Sequence, residues 1–334
     1  MSNEMQDANP DRRKAWGNYW QQGALHSLPT SYAGNYRGAV ADFWASIANT
    51  LNADQRVLDI GTGNGSLPFL LHSQLAANCP RIDAIDLADQ LAPAWHQALP
   101  DEIRGKIAFH TATQAEHLPF ADESFDLACS QFGIEYSNLT AALAEVARVL
   151  RPQGRLALIM HHAESQLALV AAEELKWANW LSTEGNFLQK ARDIYPWLAW
   201  VAAGKQAELV DNPEANSART AFNQAQAEMS QFIESSPIPD LLHDARDMVA
   251  SHIDAILSGR ANAAQANQAS LEWQDALKLS AFRQYELIKH ALDKASFQHL
   301  SGTLDTLGFQ IEHAQALTEG DDILIGWSLI ASRR

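Results

Sequence analysis

The chain has 334 residues, 47% of them hydrophobic and 19% charged, a globular composition long enough for one domain and a sizeable subdomain. Its formal net charge is -16 and its Lys and Arg residues form no run, which weighs against duplex nucleic acid, whose phosphates need arrayed cations. No stretch approaches the ~20 apolar residues that span a bilayer, and residues 1–20 lack the apolar core of a signal peptide, so a cytoplasmic protein is expected.

Residues 1–10 are polar. Two helical patterns follow between Asp11 and Leu51, separated by the loop 23–34 with its Gly, Pro and Ser residues; the second repeats apolar side chains at Val40, Phe43, Trp44 and Ile47. From Gln55 short apolar strands alternate with helical segments: RVLDI, RIDAID, KIAFHT, FDLACSQF and RLALIMHH. Such alternation predicts βα units and a parallel sheet. The segment LRPQG is read as closing a helix over 139–150 and opening a strand over 155–160. Cys129 falls in the apolar run FDLACSQF and reads as a buried thiol. Neither it nor Cys79 has neighbours at metal-ligand spacing, so no metal site is expected.

After His162 the alternation stops. Residues 163–300 are rich in Ala, Gln, Glu and Leu with helical spacing, as at Leu277, Ala281, Tyr285, Ile288 and Leu292, and Pro196, Pro213, Pro237 and Pro239 are expected to divide them. The Ala/Asn/Gln-rich stretch 258–269 reads as a link. Strands return in FQIEHAQALT and ILIGWSLIAS, a hairpin turning at Glu319-Gly320-Asp321-Asp322.

The chemistry-bearing segment is Val57-Leu58-Asp59-Ile60-Gly61-Thr62-Gly63-Asn64-Gly65-Ser66. A strand ends there, glycines follow at alternate positions and a helix begins. Glycines let the backbone turn tightly and let a ligand lie on main-chain atoms. A dinucleotide site needs GxGxxG to bring a pyrophosphate to the helix N-terminus. The spacing here is GxGxG, and Asp59, two positions before the first glycine, would repel a pyrophosphate but suit a ligand bearing an ammonium group.

The pattern D-x-G-x-G-x-G resembles motif I of class I S-adenosylmethionine (SAM)-dependent methyltransferases. The resemblance covers residues 50–162 and the terminal strands at about 303–332. It implies an α/β fold: a Rossmann-like, seven-stranded, mostly parallel sheet with helices on both faces and a large helical insertion before the last two strands. The implied domains are an N-terminal helical lid (1–50), the SAM-binding core (51–162), the helical insertion forming a substrate-pocket subdomain (163–300), and the terminal helix and strands (301–334). The cofactor implied is SAM, with S-adenosylhomocysteine as product. Its contacts would be Asp59, Gly61, Thr62, Gly63 and Asn64, then Asp86 with Leu87, where the family carries the acid that accepts from both ribose hydroxyls. Asp83, on the opposite side of that strand, reads as a surface residue. The segment Ala112–Phe120 is similar to the family's G-D-A-x-x-L-P-F, with Thr113 for the glycine and Gln114 for the acid; Gln114 and Ala115 would face the adenine. The family's strand order reverses between the first and fourth strands, so Ser130, Gln131 and Phe132 would face the methyl or the adenosyl edge.

Glu135 and the histidines His161 and His162 are the candidate bases. Tyr19, His26, Tyr36, Phe132 and Tyr136, with Trp197 and Trp200 in the insertion, are the candidate acceptor contacts. The loop around Trp16, Trp20, Ser27 and Tyr32 is the expected lid. A small-molecule acceptor with an O- or N-nucleophile and some apolar or aromatic character is expected. A protein or RNA methyltransferase and a non-catalytic SAM-binding regulator are the alternatives, and a homodimer is compatible with the large helical segment.

Overall fold

The apolar runs with two-residue alternation become strands because alternate side chains enter the cores on opposite sides of one sheet. The computed structural model describes residues 10–28, 34–320 and 322–334. They fall into two units, Met1–Leu169 with Glu286–Arg334, and Val170–Tyr285. Tyr32, Asp321 and residues 1–9, to which the sequence reading assigned lid, turn and polar-tail character, lie outside the described residues.

The first unit opens with α1 (Pro10–Gln21) and α2 (Gly38–Ala48), then alternates β1 (Arg56–Ile60), α3 (Ser66–Leu75), β2 (Arg81–Ile85), the one-turn α4 (Ala94–Gln97) and α5 (Asp101–Arg104), β3 (Ile107–His110), β4 (Phe125–Gln131), α6 (Leu139–Val149) and β5 (Leu150–His161). The second unit is wholly helical. Its boundaries fall within α7 (Gln166–Ser182) and α11 (Ala263–His290), with α8 (Phe187–Ala202), α9 (Pro213–Ser235) and α10 (Asp240–Leu257) between. The chain then completes the first unit with α12 (Lys294–Thr306), β6 (Phe309–Glu319) and β7 (Ile323–Arg333).

The seven strands lie in the order β3-β2-β1-β4-β5-β7-β6; the first five are parallel, and β7 is antiparallel to both β5 and β6. This is the expected seven-stranded, mostly parallel sheet, with its order reversing between β1 and β4. On one face Leu58, Ala128, Leu158 and Met160 pack under α6 (Ala142, Leu143, Val146, Val149) and α12 (Phe297, Leu300, Leu304). On the other, Val57, Leu127, Cys129 and Ile159 pack under α2 (Val40, Phe43, Trp44, Ile47) and α3 (Leu67, Leu71). Capping fixes where these helices start: Asn138 accepts from Ala141 N–H and Asp293 from Ser296 N–H.

Several expectations are corrected. The helical unit is narrower than 163–300, because Leu167, Leu292, Phe297 and Leu300 are buried in the sheet's cores. Strand β5 begins at Leu150, whose partner is Phe125; the next pair is Leu127 with Arg155, so 151–154 bulge out with Gln153 at φ 66°. Pro196 does not break its helix but lies inside α8, beside the buried Ile194 and Tyr195, whose packing outweighs the lost hydrogen bond. Pro213, by contrast, takes the first turn of α9 behind the Asn212 cap. The stretch 258–269 is not a link: Asn262 and Gln265 form a reciprocal capping box, side chain to backbone N–H in each direction at 2.9 Å, and α11 starts at Ala263. Tyr285 and Ile288 are exposed, so the α11 stripe is not a continuous buried face. Asp83 is buried, held at 2.8 Å by Arg56 and His110.

One contact links the sheet to what lies above it. Gly326 pairs with His161, and a Cβ built there would stand 2.5 Å from the Met160 carbonyl oxygen and 3.3 Å from the Phe132 ring. Gly326→Ala is therefore expected to destabilise the first unit by about 1–3 kcal/mol through overpacking, read as a lower denaturant midpoint by circular dichroism. An unchanged midpoint would show that the strands accommodate the methyl group.

Candidate functional site

At the C-terminal end of β1 the chain leaves the sheet through three left-handed glycines, Gly61, Gly63 and Gly65, with φ of 72°, 53° and 80°. The turn is pinned to β2, the Gly61 and Thr62 N–H groups both donating to the Ile85 carbonyl at 3.0 and 2.9 Å. The three glycines meet different neighbours. A Cβ on Gly61 would lie 2.8 Å from Gly133 Cα, so the turns after β1 and β4 meet at two bare backbones. At Gly63 the added atom would lie 2.5 Å from the Trp20 ring, and at Gly65 2.7 Å from the Phe109 ring. Gly63 and Gly65 thus give way to the protein's own aromatics, and Gly61 is the one of the three that borders open space.

Two carboxylates are buried around this turn. Asp59 is 1% exposed and its Oδ2 has no hydrogen-bond partner, and neither has the buried Thr62 Oγ1. Asp86 accepts from the Gly63 N–H at 2.7 Å and the Ala88 N–H at 2.8 Å. Burial pushes the Asp59 carboxyl up to about 7, with the Asp86 charge adding to the rise; burial also raises Asp86. Among the described residues neither acid has a salt-bridge partner. Two buried acids left without an ion-pair partner suit a ligand that brings hydrogen-bond donors and positive charge.

Beside them opens a cavity lined wholly by residues of the first unit. Gly61, Thr62, Asp86, Leu87, Gln114 and Ala115 form one side. Arg12, Arg13, Trp16 and Trp20 of α1 form another, and His26, Tyr36, Gln131, Phe132 and Tyr136 complete it. Helix α1 is held there by a buried ion pair: Arg12 bonds the Glu286 carboxylate and the Tyr136 carbonyl, and its third nitrogen lies 2.9 Å from His290 Nε2. Trp16 stacks on Trp20 at 5.6 Å and meets Tyr136 edge-on at 5.8 Å.

Residues 58–158, which carry the glycine turn and both acids, match a methyltransferase domain family. The chain is 32% identical over 149 residues to a ubiquinone/menaquinone biosynthesis C-methyltransferase (UbiE) of Dinoroseobacter shibae, covering 44% of this chain and 58% of that one. It is 38% identical over 112 residues to an uncharacterized methyltransferase (YcgJ) of Bacillus subtilis, covering 33% and 42%. The chain therefore spans about half the length of these curated relatives. A solved SAM-dependent methyltransferase structure from Methanosarcina mazei is 19% identical, with TM-score 0.41, over 86% of this chain and 96% of that one. Residues 58–158 thus carry a methyltransferase domain of the SAM-dependent kind.

The residues present fit SAM as the cofactor of this domain. The unpartnered Asp59 and Thr62 oxygens are acceptors that an ammonium group would satisfy, and Gly61 borders the cavity with bare backbone. The other expected contacts lie differently. Both Asn64 amide hydrogens are taken by the Trp20 and Ala24 carbonyls, at 2.8 and 2.7 Å, and its oxygen by the Ala92 N–H at 2.7 Å, so Asn64 ties α1 to the turn. Ser130 is wholly buried, bridging the Ile60 carbonyl and the Ile134 N–H.

Of the acceptor candidates, His26, Tyr36, Phe132 and Tyr136 line the cavity and Tyr19 does not; its hydroxyl donates to the His26 carbonyl at 2.8 Å. His26 donates from Nε2 to the Gly34 carbonyl and accepts at Nδ1 from the Leu28 N–H, which fixes a neutral ring. Trp197 and Trp200 belong to α8 of the second unit, their rings 6.0 Å apart, and are not among the lining residues. None of the three candidate bases lines the cavity. His161 stacks on Phe132 at 4.4 Å, and burial pushes its ring down to about 3. His162 stacks on Trp327 at 4.3 Å and accepts from the Glu164 N–H. Glu135 accepts from the His161 N–H through Oε1 and keeps a buried, unpartnered Oε2; burial pushes it up to about 7. Sequence reasoning missed Arg12 and Arg13, although Arg12 repeats at four-residue spacing with Trp16 and Trp20 of the expected lid on one helix face.

Because an ammonium ligand favours the ionised Asp59, its binding expels the proton that burial retains. S-adenosylhomocysteine affinity should rise with pH until about 7 and then level off, falling about fivefold from pH 7 to pH 6. Asp59→Asn should bind weakly with no such slope. Without ligand the sign reverses: stability contributed by the protonated carboxyl declines as pH climbs from the ordinary carboxylate range towards 7. Calorimetry across pH in both proteins tests this, and parallel profiles would remove Asp59 from the ammonium site.

Proposed function

We propose that the chain is an enzyme that transfers the methyl group of SAM to a small organic acceptor with an apolar or aromatic face. The observation that carries this reading is a pair of buried carboxylates at the glycine turn without ion-pair partners among the described residues, of which Asp86 lines a cavity walled by Trp16, Trp20, Tyr36, Phe132 and Tyr136. SAM, when bound, supplies a sulfonium methyl already activated towards a nucleophile. Asp59 and Thr62 would hold its amino-acid end, Asp86 its ribose hydroxyls, and Gln114 with Ala115 the adenine edge. Gln114 takes the place of the family's usual acid; its side-chain carbonyl can still accept from the adenine amine. Trp16 and Trp20 on α1 form the lid that keeps water from the reacting centre, and the aromatic wall aligns the acceptor.

Where the acceptor must lose a proton, Glu135 is the assigned base, because its Oε2 is uncommitted and burial holds it near neutrality. Reaching the acceptor requires Phe132 or Tyr136 to yield, or one water to bridge. The histidines are set aside: both are buried against aromatic rings, and burial lowers the basicity of both. By similarity to the ubiquinone/menaquinone C-methyltransferases, an oxygen-bearing aromatic ring methylated at carbon is the acceptor class to try first, ahead of simple O- and N-nucleophiles. The net charge of -16 favours a small molecule over RNA. No described helix is long and apolar enough to cross a membrane, and two free buried cysteines support assignment to the cytoplasm.

The test supplies methyl-labelled SAM together with separated small-molecule, RNA and protein fractions of a cell extract. Label is expected in the small-molecule fraction, and Glu135→Gln should cut the rate by about tenfold to a hundredfold and remove any inflection near pH 7. Label confined to RNA or protein would overturn the acceptor class. Tight S-adenosylhomocysteine binding without transfer to any fraction would make the chain a SAM-binding regulator.

A further inference from the structure

Gln131 ends β4 in the cavity wall, between Trp44 of α2 and the Phe132 ring. It is 8% exposed. The Trp44 indole N–H donates to its side-chain oxygen. An indole nitrogen can only donate, so the contact fixes which end of the amide is oxygen and turns Nε2 the other way. That Nε2 is buried and has no partner among the described residues. A buried amide donor without an acceptor is unfavourable, so its place in a ligand cavity marks what the ligand should bring.

We propose that Gln131 is a specificity-determining residue that donates a hydrogen bond to an oxygen of the methyl acceptor, a carbonyl or a deprotonated hydroxyl beside the reacting atom. The inference rests on the methyltransferase reading of this cavity. Its surroundings direct Gln131 to the acceptor. The cofactor's ammonium and ribose hydroxyls would be met by oxygens at Asp59, Thr62 and Asp86, and the cofactor's own carboxylate is the competing partner that the test separates. Gln131 offers the opposite, a donor, and it stands among the aromatic lining residues Tyr36, Phe132 and Tyr136. Trp44 is its positioning residue: without the indole bond the amide could rotate and present its oxygen instead.

The experiment compares 1-tetralone with tetralin, two rings of nearly equal shape of which only the first carries an acceptor oxygen. Both are titrated into S-adenosylhomocysteine-loaded wild type and Gln131→Glu, a variant that keeps an oxygen for the Trp44 bond but replaces the free donor with an acceptor. Tetralone affinity should fall about tenfold in the variant while tetralin and S-adenosylhomocysteine affinities stay within about twofold. Trp44→Phe should reproduce part of the tetralone loss with little change for tetralin. Equal losses for both rings, unaltered tetralone binding, or no binding of either ring to the loaded wild type would each overturn the proposal. A tenfold loss of S-adenosylhomocysteine affinity would assign the donor to the cofactor's carboxylate. Failure of wild type to bind S-adenosylhomocysteine would instead remove the methyltransferase reading beneath it.

Discussion

The site depends on the approach of two bare backbones, Gly61 after β1 and Gly133 after β4. A methyl group on either would lie 2.8–3.0 Å from main-chain atoms of the other turn. This contact sits where the strand order reverses, the point at which an open α/β sheet leaves a crevice outside its strand ends. The two turns close the crevice floor without filling it. Ser130, anchored to the Ile60 carbonyl and the Ile134 N–H, holds the same two turns from beneath. Residues on either side, Gly61 and Thr62 after β1 and Gln131 and Phe132 at the end of β4, are brought to one cavity by that approach.

Burial then sets the chemistry. Asp59 and Asp86 would each be more stable hydrated, and the chain compensates them unequally: Asp86 with two backbone N–H groups, Asp59 with an unpartnered oxygen. Such an arrangement is weak as a stabilising element and strong as a ligand site, since a donor-bearing cation relieves the desolvation already incurred. Gln131 mirrors this with a donor left over on the facing wall. The turn thus leaves oxygens unpartnered and the end of β4 leaves an N–H unpartnered, a difference of polarity on which the proposed division of the two ligands rests.

Much of this was legible in the sequence because it is local. The alternation of RVLDI, RIDAID and FDLACSQF fixes strands whose side chains must part to two faces, and Asp59 with Gly61 reads as a turn for a non-phosphate ligand. What was not legible depends on contacts far along the chain. Asn64 looks like a cofactor contact in its motif, yet Trp20 and Ala24, some forty residues earlier, take both its donors. Asp83 looks exposed by strand alternation, yet Arg56 and His110 from the neighbouring strands bury it. Pro196 reads as a stop because its own helix hydrogen bond is lost, and only the tertiary packing of Ile194 and Tyr195 outweighs that loss. The Trp197–Trp200 pair has the composition of a pocket wall, but such a stripe carries no information about which cavity it borders.

Helix α1 shows how the roof and the floor are joined. Its mean polarity gives little reason to dock, and the docking comes from three specific ties. Arg12 pairs with Glu286, which is 1% exposed in its side chain and also lies near Lys289 and His290; removing Glu286 would leave the partly buried Arg12 guanidinium without its carboxylate, so this tie is costly to break. Trp20 lies on the Gly63 backbone, where any larger residue would displace it. Asn64 then fastens the helix end to the glycine turn. Helix α1 is thus built on the glycine turn: whatever shifts the turn after β1 must also shift Trp20, and motion of α1 is felt at Gly63. Arg12 carries the coupling further, since its guanidinium also bonds the Tyr136 carbonyl, placing α1, the glycine turn and the Tyr136 wall of the cavity in one connected set of contacts.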